Sequence, residues 1–259
     1  MIHPAALEAL RAASDLLGND HRFVVIGATV PLVLIDFRQN ATGRGRVTFD
    51  IDVVISAQSW REFEALKARL IAAGFRQANI PHRLYYGQAS IDLIPYSEVL
   101  APGEDRAMSA LGFAEAFESA QPERIGDLVI SMVPVAGCVL LKFIAYNDRP
   151  AERARDLADI VYCFEHYEEQ PGGVRHDAVG VEVDAIAVAY DEAGAFVLGR
   201  EVAKLARPRS LLVIRKVLNA IEDEYSQPIH QILTEERNLQ DDRRRLLFRL
   251  FRVFSAGVG

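Results

Sequence analysis

The sequence of 259 residues has few cysteines, no long apolar run and a deficit of positive charge. Each of these scarcities excludes certain classes of protein. Cysteine occurs twice, at Cys138 and Cys163, each within an apolar segment. Two such residues exclude a disulfide-stapled scaffold and favour buried thiols in a reducing cytosol. No apolar run reaches the roughly 18 residues that a membrane-spanning helix needs, and the charged segment 1–17 is unlike a signal peptide. We therefore expect a cytoplasmic protein with no membrane association.

Positive charge is also in deficit, because 29 Lys and Arg stand against 36 Asp and Glu, a formal net charge of −7. Such a chain has no overall field that attracts nucleic acid. One local basic cluster lies near the end, where apolar residues are interleaved with Arg243, Arg244, Arg245, Arg249 and Arg252. This segment either binds RNA or packs its Phe and Leu side chains on the rest of a helical domain, and its amphipathic pattern favours packing.

Hydrophobic periodicity divides the chain into two parts. The predicted strands are Phe23–Ile26, Val47–Ile55, His82–Tyr86, Ser90–Ile94 and Leu128–Val133. The predicted helices are 3–17, 28–37, 59–73, 135–147, 151–166, 181–206, 209–225 and 239–254. The polar segment 39–46 is predicted to be a loop. These patterns predict an α+β chain, with a small mixed-sheet α/β domain over residues 1–120 and an all-helical domain over 121–259.

Two carboxylates share one side of the strand Val47–Ile55. Asp50 and Asp52 are at positions i and i+2, so both side chains point to the same face, about 6.5–7 Å apart along the strand. Oxygen ligands of this kind suit Mg²⁺, which also binds phosphates. The alternative is a half-buried edge strand with a solvated polar face.

A third carboxylate, Asp92, lies in an otherwise apolar strand, where a charge without a partner is costly. If that strand neighbours the strand of Asp50 and Asp52, three carboxylates share one face, and a cation would explain why they gather. The alternative is a lone surface Asp on an edge strand.

A glycine turn, Gly27-Ala28-Thr29, joins the first strand to a helix. Glycine lets a phosphate approach the backbone, and a helix N-terminus favours an anion. The alternative is an ordinary strand-to-helix turn.

The order of a glycine turn, an Asp-x-Asp strand and a later strand with one Asp resembles the nucleotidyltransferase superfamily, with its polymerase-β-like fold. The segment Arg46–Asp52 (RVTFDID) resembles the Arg-x-Thr-x-Asp-hydrophobic-Asp signature of the AbiEii/AbiGii-type toxin nucleotidyltransferases. Leu140–Arg149 resembles that branch's Lys-x-x-Ala…Arg helix, and Arg155–Ile160 resembles its Lys-Asp-Leu-x-Asp-hydrophobic helix, with Arg155 in place of Lys. The resemblance covers residues 20–165.

The resemblance implies metal-dependent transfer of a nucleoside monophosphate from a nucleoside triphosphate to an acceptor hydroxyl. It implies that Asp50, Asp52 and Asp92 hold one or two Mg²⁺ ions, with Asp92 also helping to deprotonate the acceptor. It places at the triphosphate Gly27, Ala28, Thr29, Lys142 and Arg149. It places in supporting positions Arg46, Thr48, Asp156 and Asp159. For Lys142 the alternative is a solvated or ion-paired charge, and Asp156 and Asp159 either orient Lys142 or form interhelix pairs.

The resemblance leaves several functions open. It implies an RNA acceptor such as tRNA and a cognate antitoxin protein as partners, with protein and small-molecule acceptors as alternatives. A small-molecule acceptor would make the chain similar to antibiotic-modifying relatives. The chain has Gly27-Ala28 where the superfamily has Gly-Gly or Gly-Ser, which favours a catalytically inactive nucleotide-binding module. The retention of three crowded carboxylates argues against that module.

Overall fold

The computed structural model describes residues 2–17, 23–37, 48–97, 110–168 and 173–259. The chain divides into two compact units, Met1–Pro134 and Val135–Gly259. The predicted loop 39–46, with the candidate residue Arg46, lies outside the described residues. Among the helices described, none combines the length and the apolarity that crossing a membrane requires.

The first unit is built on a mixed sheet, which has seven strands in the described part of the chain. In chain order they are β1 (Phe23–Ile26), β2 (Asp50–Ser56), β3 (Arg76–Gln77), β4 (Arg83–Tyr86), β5 (Ala89–Tyr96), β6 (Gln121–Ile125) and β7 (Leu128–Met132). Their order across the sheet is β3-β4-β5-β2-β1-β7-β6. The β2–β5 and β1–β7 pairs are parallel and the other pairs are antiparallel. An α+β chain with a mixed sheet is thus confirmed.

In the described part of the first unit, four α-helices accompany this sheet: α1 (Pro4–Leu17), α2 (Thr29–Pro31), α3 (Trp60–Ala72) and α4 (Phe113–Ser119). The predicted helix 28–37 is less regular than expected, because after α2 the segment Leu32–Phe37 is π-helical. Ser59 caps α3 through its hydroxyl, which accepts a hydrogen bond from the backbone N–H of Glu62. Helix α1 packs against α3 and against strands β5 and β2.

The second unit is mainly helical. Its helices are α5 (Val135–Asp148), α6 (Ala154–His166), α7 (Tyr190–Leu205), α8 (Pro208–Asn219), α9 (Gln227–Glu236) and α10 (Asp241–Val258). A 3₁₀ turn, Val174–Ala178, and a short hairpin of β8 (Glu182–Val183) and β9 (Ile186–Ala187) precede α7. A cluster of stacked rings forms much of its core, with Phe254 against Phe164 at 4.7 Å and against Phe143 at 5.3 Å between centroids.

The boundary between the units differs from the predicted one. Strands β6 and β7 pair with each other, and β7 pairs with β1, so residues 121–132 belong to the sheet. The structure therefore divides the chain after Pro134 instead of after residue 120. The alternation of β6 is weak because four of its five residues, Gln121–Arg124, are at least partly exposed.

The helix predicted over 181–206 is wrong in its first part. Residues 182–187 form the β8–β9 hairpin, whose turn residues Asp184 and Ala185 have positive φ angles of 54° and 60°. That backbone is incompatible with a right-handed helix, so α7 begins only at Tyr190.

Candidate functional site

The three predicted carboxylates lie on one face of the sheet. Strands β2 and β5 are parallel neighbours in which Asp50 is paired with Ser90 and Asp52 is paired with Asp92. Because residues paired across a ladder, and residues two apart along a strand, point to the same side, Asp50, Asp52 and Asp92 share a face. We name this group the carboxylate face.

The opposite side of the same two strands is apolar. Ile51, Val53, Ile91 and Leu93 are at most 1% exposed. Burial of that side fixes the register, since a slip of one residue would turn the carboxylates into the core.

Asp50 is exposed at the beginning of β2 and is held by two hydroxyl side chains. The hydroxyl of Ser90 on β5 donates a short hydrogen bond to Oδ1 of Asp50. The Thr48 hydroxyl accepts from the backbone N–H of Asp50 at 3.2 Å and donates to its carbonyl oxygen at 3.0 Å. Thr48 therefore holds the backbone at Asp50, and its supporting role at a nucleotide site stays a prediction.

Asp52 lies directly against the glycine turn that follows β1. A Cβ atom added to Gly27 would lie 2.1 Å from Oδ2 of Asp52, closer than any real contact, and Gly27 has a φ angle of +70°. The turn therefore requires glycine at position 27 for two reasons. One is the positive φ angle of its backbone, and the other is that the Asp52 carboxylate occupies the space of a Cβ atom. This contact brings the predicted Gly27 turn and the Asp-x-Asp strand together.

For the remaining two turn residues, Ala28 and Thr29, contact with a triphosphate stays a prediction. Ala28 precedes α2 and offers no side-chain cap. The Thr29 hydroxyl is buried, and among the described residues it has no hydrogen-bond partner. A buried hydroxyl without a partner is costly, so Thr29 is an unusual residue for an ordinary turn.

Asp92 is held by an arginine that the sequence analysis missed. Arg83 lies opposite it on β4 and donates from Nε to Oδ1 at 2.7 Å and from Nη2 to Oδ2 at 2.8 Å. The Asp92 side chain is 15% exposed and that of Arg83 is 27% exposed. These hydrogen bonds raise the pKa of Arg83, so the guanidinium stays charged.

The donor set of the carboxylate face fits a hard cation such as Mg²⁺, because it consists of carboxylate and hydroxyl oxygens and the Gly27 turn leaves room for Asp52. Within the described ranges, however, no three His, Cys, Asp or Glu side chains are arranged to hold a metal ion. Both oxygens of Asp92 accept hydrogen bonds from Arg83.

Lys142, in the helical unit, is paired with both of its predicted neighbours. Its ammonium group lies 3.0 Å from Oδ1 of Asp156 and 2.8 Å from Oδ2 of Asp159, and its side chain is 8% exposed. Burial alone would lower the pKa of Lys142, but Asp159 and Asp156 outweigh burial and raise it. Asp156 and Asp159 on α6 thus form interhelix pairs with Lys142 on α5, and the role of Lys142 at a triphosphate stays a prediction.

Arg149, the other predicted triphosphate ligand, follows α5 and forms an exposed pair with Glu152 at 3.3 Å. Its contact with a triphosphate stays a prediction.

The basic cluster of α10 is largely used inside the helical unit. Arg243 pairs with Glu165 and Glu236. Arg249 contacts Glu192 at 3.1 Å, and Arg252 contacts Asp184 at 2.8 Å. Four Phe and Leu side chains of α10 are buried in the unit, namely Leu247, Leu250, Phe251 and Phe254. The packing interpretation of this helix therefore accounts for its sequence, with ion pairs in place of solvated arginines.

Comparisons with known proteins give little further information. No family model and no curated protein match the chain. Among solved structures it is similar to the crystal structure of JHP933 from Helicobacter pylori, at 15% identity and a TM-score of 0.38, over 97% of this chain and 94% of that chain. A likeness at that TM-score carries no argument about fold or function.

Proposed function

We propose that the chain is a metal-dependent nucleotidyltransferase that moves a nucleoside monophosphate from a nucleoside triphosphate to an acceptor hydroxyl. The observation that supports this best is the carboxylate face. In it Asp52 and Asp92 lie side by side on neighbouring strands, and Asp50 is two residues before Asp52 on β2. The motifs that resemble the AbiEii/AbiGii-type toxin nucleotidyltransferases provide the second support. Like charges repel, so a face that gathers three carboxylates favours a cationic ligand.

Each residue of the face has a distinct part in this proposal. Asp50 and Asp52 provide the oxygen ligands, and Ser90 holds the carboxylate of Asp50 in place. Gly27 allows Asp52 to lie against the turn. Asp92 would complete the ligand set and help to deprotonate the acceptor hydroxyl once Arg83 no longer covers its oxygens. Mg²⁺, when bound, supplies neutralisation of phosphate charge, and the reaction then depends mostly on positioning.

Transfer of label from nucleoside triphosphates tests the proposal. The protein is incubated with each of four α-³²P-labelled triphosphates, Mg²⁺ and cell extract or total RNA, and the labelled product is identified. We expect label transfer by the wild type and a loss of at least about 100-fold in Asp50→Asn and Asp52→Asn, because each removes a charge that a cation requires. Asp15→Asn, which removes an exposed carboxylate of α1, should transfer as well as wild type.

The identity of the labelled product separates the acceptor classes. Label on RNA supports a tRNA-type acceptor and, with it, an antitoxin-controlled toxin. Label on a small hydroxylated molecule supports an antibiotic-type enzyme. Nucleotide binding without label transfer would support the inactive module, and equal labelling by wild type and Asp52→Asn would overturn the proposed site.

A further inference from the structure

Arg83 is placed so that it can control Asp92. Arg83 on β4 and Asp92 on β5 are direct partners in the antiparallel ladder, and two parallel hydrogen bonds of 2.7 and 2.8 Å join them. Bidentate pairs of this kind are among the strongest hydrogen-bonded contacts between side chains. Both carboxylate oxygens of Asp92 therefore accept hydrogen bonds from the positively charged guanidinium of Arg83.

The guanidinium is also near the rest of the carboxylate face. Attraction from Asp50 contributes to the raised pKa of Arg83, after the contributions of Asp92. Arg83 thus lowers the negative charge of the whole face as well as covering one carboxylate. A second positive residue on the same face of the sheet, Arg76, is paired with Tyr85 on β4 and is exposed.

We propose that Arg83 is a positioning residue that competes with a divalent cation for Asp92. The inference rests on the proposed function, because it concerns the same face. While the guanidinium holds Asp92, that carboxylate is withheld from a cation bound by Asp50 and Asp52. Asp92 joins them only after Arg83 releases it.

Direct titration of Mn²⁺ into the full-length protein tests this competition, with free Mn²⁺ followed by electron paramagnetic resonance and no nucleotide present. In Arg83→Gln the affinity for Mn²⁺ should rise about 5-fold. This ratio corresponds to the free energy of a partly exposed ion pair, about 1 kcal/mol. Arg76→Gln removes the same charge from the same face without touching a carboxylate, and its affinity should stay near that of wild type.

Two further variants separate competition at Asp92 from a general effect of charge. Arg83→Lys keeps the charge but cannot form the bidentate pair, so its affinity should lie between wild type and Arg83→Gln. In an Asp92→Asn background, Arg83→Gln should raise the affinity clearly less than it does with Asp92 present, because only the general effect of the lost charge is left. Circular dichroism and thermal unfolding are used to check that each variant is folded. If Arg83→Gln is not folded, Arg83→Lys is compared with wild type in its place.

The outcomes distinguish this inference from the proposed function. If wild type binds Mn²⁺ and Arg83→Gln binds it equally well or more weakly, the competition is wrong and the metal site stands. A rise that is equally large with Asp92→Asn, or that Arg76→Gln reproduces, also overturns the competition. If neither wild type nor Arg83→Gln binds Mn²⁺, both proposals are wrong.

Discussion

At the residue scale, the position of the Asp52 side chain on β2 depends on Gly27, which lies in the turn between β1 and α2. Oδ2 of Asp52 lies where the Cβ of any other residue at position 27 would be. Gly27 also has a φ angle of +70°, which L-residues rarely adopt. The turn and the carboxylate therefore form one local structure, and a change at either residue should affect the other.

Replacing Gly27 by Ala should destabilise the first unit more than backbone strain alone. The change adds a steric clash with Asp52 to the cost of a positive φ angle, for a total of about 3 kcal/mol. Gly87→Ala is the matched control, because Gly87 also has a positive φ angle, +57°, but nothing lies within 4 Å of an added Cβ. Its cost should be about 1 kcal/mol. Urea unfolding measures both, and equal losses would show that the Asp52 contact is unimportant.

The residues of the site could be predicted only in part. Asp50, Asp52 and Asp92 could be placed on one face because side-chain direction alternates along a strand, whatever the rest of the fold. Arg83 was missed although a signal existed. A two-residue turn at Gly87-Gln88 fixes the hairpin register and places Arg83 opposite Asp92. The burial of the Thr29 hydroxyl depends on packing that local sequence does not specify.

At the element scale, helices α7 and α10 cross at two glycines. A Cβ on Gly199 would lie 2.3 Å from the carbonyl oxygen of Phe254, and a Cβ on Gly257 would lie 2.3 Å from the carbonyl oxygen of Phe196. The two backbones are therefore in direct contact, which only glycine permits at these positions.

Replacing Gly199 by Ala should destabilise the helical unit by about 2 kcal/mol, because the methyl group separates the crossing helices. This is opposite in sign to intrinsic helix propensity, which favours Ala over Gly by about 1 kcal/mol. Thermal unfolding followed by circular dichroism measures the change. Arg200→Ala, at the exposed neighbouring position, should be nearly neutral. A stabilised Gly199→Ala variant would contradict the close crossing.

The β8–β9 hairpin illustrates why one element was mispredicted. Its strands have only two residues each, so their sequence pattern is too short to be recognised. Contacts that are distant in sequence hold it: Arg249 donates to the carbonyl oxygens of Val183 at 2.8 Å and Ile186 at 2.9 Å. Arg249, from the basic cluster for which RNA binding and packing were both open, therefore has structural partners.

Replacing Arg249 by Gln should loosen this hairpin. Loss of two hydrogen bonds from a charged donor should raise the rate of amide hydrogen exchange in residues 182–187 by at least about 10-fold. Mass spectrometry of peptic fragments measures that exchange. Arg245→Gln, on the same helix with a side chain that is 66% exposed, should leave it unchanged. Equal protection in both variants would mean that Arg249 does not hold the hairpin.

At the scale of the whole molecule, the hydrophobic periodicity of the sequence predicted the α+β class. It did not predict the residue at which the two compact units divide. Long amphipathic helices such as α3 and α6 were predicted within three residues of their ends, since their apolar stripes are regular. The division after Pro134 could not be predicted, because β6 joins the sheet through backbone hydrogen bonds with few apolar side chains. The proposed function rests on the carboxylate face and the motifs, since no family model matches.

The most direct test of the account is calorimetric titration of nucleoside triphosphates into the full-length protein, with Mg²⁺ and separately with EDTA. We predict saturable binding of at least one triphosphate in Mg²⁺, its loss in EDTA, and its loss in Asp50→Asn and Asp52→Asn. Binding that is equal in Mg²⁺ and EDTA, or that survives both substitutions, would contradict the assignment of the carboxylate face as a metal-dependent nucleotide site.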